Sequence, residues 1–177
     1  MLYHASKQAG IKVLLPQAST HGKEYVYAIN NRLTAVLFGA PKDDFDLLID
    51  EAEGKPVIYE CYPNALRKIY AEKTCYLYAL GEEGFLSHQT GWEPELVCEH
   101  PVPVVSEERI KNIYDEILAG IQKGDCIFHA YSTDAEFQSF LRDELSERVR
   151  SFGITDEQMN ADSRFEVYFN RLLGDRK

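Results

Sequence analysis

The sequence predicts a mixed α+β protein. Strand-forming segments come in runs through the first part of the chain, whereas the last part is dominated by helical patterns. Of the 177 residues, 45% are hydrophobic and 12% are aromatic, which is typical of a globular chain with a buried core. We therefore expect an α+β body at residues 1–130, followed by a helical C-terminal extension at residues 131–177.

The first strands are predicted at residues 2–6 and 24–29, where aromatic and β-branched side chains are frequent. The stretch that joins them contains Gly, Pro, Ser and Thr, which indicates a long connecting loop. Loops of that length are usually functional or mobile. Further strands are expected at VIYECY, at CYLYAL and across PELVCEHPVPVV, because alternation and turn residues recur there.

Three helices are predicted within the body. The first is RLTAVLFGA, capped by Asn30 or Asn31 and closed by Gly39. The second is DDFDLLIDEAEG. The third is SEERIKNIYDEILAGIQKG, where Ser106 resembles a cap and apolar residues follow at helical spacing.

The end of the chain is predicted to be helical from Thr133 onward, after a short strand or linker at DCIFHAY. A second helix of this part should follow Thr155. An isolated amphipathic helix is marginal in water, so we expect these helices to pack on the body or on a second copy of the chain. Their apolar stripe consists of Phe137, Phe140, Leu141, Leu145 and Val149.

Charge and cysteine content exclude several classes of protein. Nineteen Lys and Arg against 29 Asp and Glu give a net charge of −10, which repels phosphate backbones and disfavours a non-specific nucleic-acid binder. The four cysteines form no C-x-x-C pair, so neither a zinc ribbon nor a redox motif is indicated. Cys98 and His100 are spaced to share a metal, but strand alternation explains the pair equally well, and we expect no metal. Without a signal peptide or an apolar run of membrane length, the sequence favours a reduced, cytoplasmic protein.

Two segments of the predicted body place chemically useful side chains close to strand ends. The strand LYHAS carries His4, and taken alone a histidine near a strand is more often a satisfied core or edge residue than a catalytic group. In VYAINNRLTAVLF, Tyr27 lies near the end of a strand, and a helix with small residues begins shortly after it.

These segments resemble the first two motifs of the ADP-ribosyltransferase superfamily, in the His-Tyr-Glu branch that includes the poly(ADP-ribose) polymerases. His4, Ala5 and Ser6 resemble the His-Gly-Ser or His-Gly-Thr motif of the first strand. Tyr27 resembles the Tyr of the second motif, and Thr34 falls where the small hydroxyl residue of the family helix would lie.

The third motif of that branch is a catalytic Glu at the start of a late strand. Glu95 begins ELVC, which has this form, and we favour it. Glu166 in EVYF is the rival, but its surroundings indicate a helix. Glu95 also lies near Glu93 in an acidic chain, so a solvated strand face is the alternative explanation. The resemblance extends over about residues 2–105.

The resemblance implies a split antiparallel sheet with flanking helices, and NAD as the substrate. The reaction would transfer ADP-ribose to an acceptor or to water and release nicotinamide. Cleavage of the N-glycosidic bond creates an oxocarbenium-like ribose, which the Glu95 carboxylate would stabilise. His4 would hydrogen-bond a ribose, and Tyr27 would stack on the nicotinamide ring. Since one ligand must contact both, we expect their side chains to open onto the same cleft.

Other functions remain open at this point. Ala5 replaces the family Gly, which removes backbone freedom next to the nicotinamide. A catalytically silent relative that binds a nucleotide or a protein is one alternative, and an unrelated interaction module is another. The sequence does not identify the acceptor, and a homo-oligomer is compatible with the helical end.

Overall fold

A computed structural model describes residues 1–18 and 23–174 of the chain. Residues 19–22, in the predicted connecting loop, and residues 175–177, at the end of the predicted extension, lie outside the described part. Within it, a seven-stranded antiparallel sheet and a three-stranded sheet are combined with helices, which confirms the α+β class. None of the helices described is both long enough and apolar enough to cross a membrane.

The secondary structure of the described part alternates between strands and short helices before ending in helices. Its strands are β1 (Leu2–Ser6), β2 (Val13–Leu14), β3 (Gln17–Ala18), β4 (Glu24–Ile29), β5 (Leu47–Ala52), β6 (Lys55–Glu60), β7 (Cys75–Leu80), β8 (Glu95–Cys98), β9 (Val102–Ile110) and β10 (Ile127–His129). Its helices are α1 (Arg32–Leu37), α2 (Ala65–Tyr70), α3 (Ile113–Lys123), α4 (Ala135–Ser151), α5 (Asp156–Ala161) and α6 (Asn170–Leu173), with a π-helical turn at Phe165–Phe169 directly before α6.

The larger sheet has the strand order β2-β9-β7-β1-β4, and both β3 and β8 pair with β4. The two strands predicted at residues 2–6 and 24–29 match β1 and β4. The segment CYLYAL forms β7, and PELVCEHPVPVV supplies β8 and the beginning of β9. The chain between β1 and β4 is not only a loop, because β2 and β3 form within it.

The predicted helix DDFDLLIDEAEG is wrong, since its second half forms β5. This strand makes a hairpin with β6 through a turn at Glu53 and Gly54, whose φ angles are 53° and 72°. Positive φ at both positions is typical of the tight turns whose twist matches a hairpin. β10 then pairs with β6 in parallel and completes the three-stranded sheet. It lies within DCIFHAY, where a short strand or a linker is predicted.

The predicted helix start at Ser106 is also wrong. Ser106 pairs with Ala79 of β7, and β9 continues to Ile110. Helix α3 begins only after Asn112, whose side-chain oxygen accepts a hydrogen bond from the backbone N–H of Tyr114 at 3.1 Å. The second half of β9 is exposed, so its sequence is polar without the alternation of apolar and polar residues that indicates a strand. This polar sequence resembles the first turn of a helix.

Helix α1 follows β4 directly and carries one of the predicted site residues. Asn31 rather than Asn30 is its cap, with its side-chain oxygen 3.0 Å from the backbone nitrogen of Thr34. The helix ends at Leu37, two residues earlier than the predicted closing Gly39. It packs on β1, β4, β7 and α3.

The C-terminal helices pack on the body, as predicted, and share its main core. Leu141, Leu145 and Val149 are buried there, while Phe137 and Phe140 of the predicted stripe are partly buried. The helix expected after Thr155 is α5, and Thr155 caps it through a capping box with Gln158.

An ionic cluster joins the end of the chain to the segment before β5. Arg164 donates to the carboxylates of Asp43, Asp46 and Asp162 at 2.5 to 3.1 Å. Its side chain is 19% exposed, so the guanidinium is largely shielded from water. These contacts fix the C-terminal helices on the body.

Candidate functional site

The larger sheet is split between β1 and β4. These strands share one registered pair, Tyr3 with Ile29, whereas β1 makes five with β7 and β4 makes four with β8. Beyond Tyr3, β1 therefore leaves β4 and follows β7. The sheet consists of two halves joined at one end, and the gap between them begins at His4.

The imidazole of His4 bridges this gap. Its Nδ1 lies 2.8 Å from the backbone oxygen of Tyr27. Burial lowers the pKa of His4 below its ordinary value, against the opposing effect of this hydrogen bond, so the ring is neutral at pH 7. A carbonyl oxygen only accepts, and Nδ1 must therefore carry the proton. Nε2 is left as a hydrogen-bond acceptor, and it has no partner among the described residues.

Tyr27 and Glu95 lie on one face of the sheet. Tyr27 pairs with Val97, and Glu95 pairs with Ile29, so the two side chains are diagonal neighbours across β4 and β8. Diagonal positions of that kind are about 7–8 Å apart and within reach of aromatic side chains. The ring of Tyr27 also packs edge-on against that of Tyr25, with centroids 5.9 Å apart.

His4 does not share that face, so the expectation that it and Tyr27 open onto the same cleft is wrong, and this outcome weighs against the family resemblance. It pairs with Tyr78, whose side chain belongs to the core cluster on the opposite face, together with Leu2 and Ala28. Side chains alternate along a strand, which places His4 and Tyr27 on opposite faces. The His4 ring nevertheless reaches into the gap, because its Nδ1 contacts the backbone of β4.

Glu95 begins β8, at the position expected for the third motif. Its side chain is partly buried, and no described residue forms a hydrogen bond or an ion pair with its carboxylate. The rival Glu166 is exposed in the π-helical turn and lies on no strand. Of these two residues, Glu95 alone is next to the strand that carries Tyr27.

Thr34 is buried on α1, with 2% of its surface exposed. Its hydroxyl oxygen has no hydrogen-bond partner within the described part of the chain. An unpaired buried hydroxyl costs about 1–3 kcal/mol, so its presence requires an explanation. Helix α1, which carries this hydroxyl, packs on both β1 and β4.

Ala5 and Ser6 complete the first predicted motif. Ala5 lies in the regular part of β1 and pairs with Leu77, so its backbone is extended and a methyl group is accommodated without strain. Ser6 ends the strand, and its hydroxyl accepts a hydrogen bond from the backbone N–H of Gln8 at 3.1 Å. The structure thus gives Ser6 a local turn contact.

The cysteines are buried within the two cores. Burial raises the pKa of Cys75 and of Cys126 to about 11. Thiols with such pKa values are protonated at neutral pH and react poorly. Cys98 lies in a core with Leu2 and Val26, and no cluster of three or more metal-ligating side chains is found among residues 1–18 and 23–174.

Sequence reasoning missed the loop that leads into Glu95. Its Trp92 packs on Phe38, and the backbone oxygen of Trp92 accepts a hydrogen bond from the N–H of Glu95 at 3.1 Å. The contact with Phe38 has no local sequence signal, because it depends on tertiary packing, whereas the hydrogen bond closes a four-residue turn from Trp92 to Glu95. Comparisons of this chain with models of protein families, with curated proteins and with solved structures find no match.

Proposed function

We propose that the protein binds NAD at the split of the larger sheet and cleaves its N-glycosidic bond. The products would be nicotinamide and ADP-ribose, the latter transferred to an acceptor or released to water. The observation that carries this proposal is the split itself. It opens at His4 and is flanked by Tyr27 and Glu95, the three residues that resemble the His-Tyr-Glu motif, on three adjacent strands.

The chemistry assigns a different task to each of these side chains. The Glu95 carboxylate has no described partner to neutralise it and would oppose the positive charge that develops on the ribose. The ring of Tyr27, on the same face, would stack on the nicotinium ring, whose positive charge favours a π-face. The hydroxyl of Thr34 would gain the hydrogen bond that it lacks in the free protein.

The placement of His4 defines how the dinucleotide would lie. Because His4 and Tyr27 start from opposite faces, NAD would lie on the face of Tyr27 and Glu95 and would reach the His4 ring only at the edge of the gap. The nicotinamide end would meet Tyr27 and Glu95, and the other ribose would reach the His4 ring within the gap. Nε2 of His4 would accept a hydrogen bond from a ribose hydroxyl, which requires no change of protonation.

The experiment combines calorimetry with NAD and chromatographic detection of nicotinamide. The wild type should bind NAD and release nicotinamide. Glu95→Gln should lower turnover on the order of a hundredfold or more while changing affinity little, because the charge it opposes appears mainly in the transition state. His4→Ala and Tyr27→Ala should weaken binding and turnover together.

Two matched controls test the choice of carboxylate. Glu93→Gln removes an exposed charge two residues before Glu95, and Glu166→Gln removes the rival from the π-helical turn. Both should behave as the wild type. Wild-type activity in Glu95→Gln would refute the catalytic assignment. NAD binding without nicotinamide release would favour a silent relative, and no binding at millimolar NAD would favour an interaction module.

A further inference from the structure

A cavity of about 340 Å³ lies where the start of α1, the turn of the β5–β6 hairpin and one face of α3 meet. Pockets that bind small molecules measure about 300–1,000 Å³, so this space is large enough for a small ligand. None of His4, Tyr27 and Glu95 lines it. The cavity is therefore a separate candidate for binding.

Polar contacts join the three walls of the cavity. The side-chain amide of Asn31 donates to the backbone oxygen of Gly54 at 3.0 Å, which ties the hairpin turn to α1. Arg32 at the start of α1 donates to Glu116 of α3 at 2.6 Å. It also donates to Glu108 of β9 at 2.8 and 3.3 Å. The cavity is thus formed before a ligand arrives, which spares the ligand part of the cost of ordering its site.

The cavity presents two cations that no described carboxylate neutralises. Lys55 on the hairpin and Lys123 on α3 both line it, and neither forms an ion pair or a hydrogen bond through its side chain with a described residue. The guanidinium of Arg32, in contrast, is already shared by two carboxylates. Since the whole chain has a net charge of −10, two uncompensated ammonium groups at one cavity run against the overall charge and favour an anionic ligand there.

A carboxylate in the same lining restricts the kind of anion. Asp125 lines the cavity, and its side chain makes no hydrogen bond or ion pair within the described part of the chain. An ionised carboxylate accepts hydrogen bonds from hydroxyl groups but repels a second anion. A ligand that satisfies all three side chains carries its negative charge at one end and hydroxyl groups at the other.

We propose that this cavity binds a phosphorylated sugar, with the phosphate held by Lys55 and Lys123 and a sugar hydroxyl donating to Asp125. Phosphate oxygens accept charge-assisted hydrogen bonds from ammonium groups, and these bonds are stronger than those between neutral groups. The proposal does not depend on NAD cleavage, because the motif residues of the split sheet lie outside the cavity.

The test is a titration of the isotope-labelled full chain with ribose 5-phosphate at constant ionic strength, followed by amide chemical shifts. The amides of Gly54 and Gly120, which line the cavity, should shift and saturate. Inorganic phosphate should bind on the order of tenfold more weakly, because it brings no sugar hydroxyl to Asp125. Unphosphorylated ribose should leave both amides unchanged. Absence of a saturable shift with ribose 5-phosphate at millimolar concentration would overturn the proposal and would leave the proposed function untouched.

Matched lysine variants test the phosphate end. Lys55→Gln and Lys123→Gln each remove one cation and should weaken binding of ribose 5-phosphate on the order of tenfold. Lys12→Gln changes the net charge of the chain equally, at an exposed position outside the cavity, and should bind like the wild type. The same weakening in all three variants would show a response to net charge alone, and the site would be rejected.

Two further variants test the location and the orientation of the ligand. Ala119→Leu fills the cavity from α3 without changing charge or helix propensity greatly, so binding should be lost while stability in urea stays close to that of the wild type. Asp125→Asn removes the repulsion toward phosphate, so inorganic phosphate should bind more tightly and the advantage of ribose 5-phosphate should shrink. Wild-type binding by a folded Ala119→Leu would refute the cavity as the site. An unchanged ratio between the two probes in Asp125→Asn would refute the contact between the sugar and Asp125.

Discussion

Replacing Gly120 by Ala tests the contact between α1, which carries Thr34, and α3. A Cβ atom built on Gly120 would lie 2.3 Å from Cδ2 of Leu33 and 3.4 Å from its Cγ and Cδ1. Carbon atoms in favourable contact are about 3.5–4.0 Å apart, so Leu33 or the helix must move. Overpacking of this kind costs about 2 kcal/mol. Removing Gly from a helix interior gains about 1 kcal/mol, and the net destabilisation should be about 1 kcal/mol.

The assay is a double-mutant cycle measured by urea unfolding. Leu33→Ala removes all three atoms that the new methyl group would meet, so in that background Gly120→Ala should stabilise the protein by about 1 kcal/mol. The coupling energy between the two positions is then about 2 kcal/mol. An equal effect of Gly120→Ala in both backgrounds would show that α1 and α3 are not in close contact, and would refute the reasoning.

Two further predictions concern His4 and the ionic cluster. The unfolded chain protonates His4 near pH 6.5 but the folded protein does so only at lower pH, so the free energy of unfolding should fall as the pH drops below about 6.5. In His4→Gln, measured by urea unfolding at several pH values, this fall in the free energy of unfolding should be absent. Parallel pH profiles of stability for the variant and the wild type would contradict the prediction. Arg164→Gln leaves three carboxylates without their cation and should cost about 3 kcal/mol in the same assay. Arg150→Gln, which breaks an exposed pair with Glu147, should cost under about 0.5 kcal/mol, and similar losses for both would refute the assignment.

The sequence predicted most reliably those elements whose signals are local. The strands β1, β4 and β7 have aromatic and β-branched runs, and α5 begins at a capping box that is visible in the sequence. The β5–β6 hairpin was missed because its turn uses Glu53 at positive φ instead of the more familiar Asn or Asp before Gly54. The second half of β9 was missed because exposure on both sides removes the alternation that indicates a strand.

The candidate site was predicted as a set of residues but not as an arrangement. The order of the motifs identified three segments, and these form adjacent strands. Which way each side chain points depends on the pairing register, and a shift of one residue would reverse it. For that reason, the motifs could not predict that His4 and Tyr27 lie on opposite faces of the sheet.

The split of the sheet explains what a histidine supplies at position 4. Where β1 leaves β4, backbone groups of β4 lose the partners that a continuous ladder would supply, and unpaired backbone groups are costly. Nδ1 of His4 restores one such partner by donating to the oxygen of Tyr27. An apolar side chain would leave that oxygen without this contact, and a lysine would offer donors alone. The neutral imidazole keeps the edge of the gap satisfied and still presents an acceptor at Nε2. The structural role of His4 is therefore compatible with the proposed contact to a ribose hydroxyl.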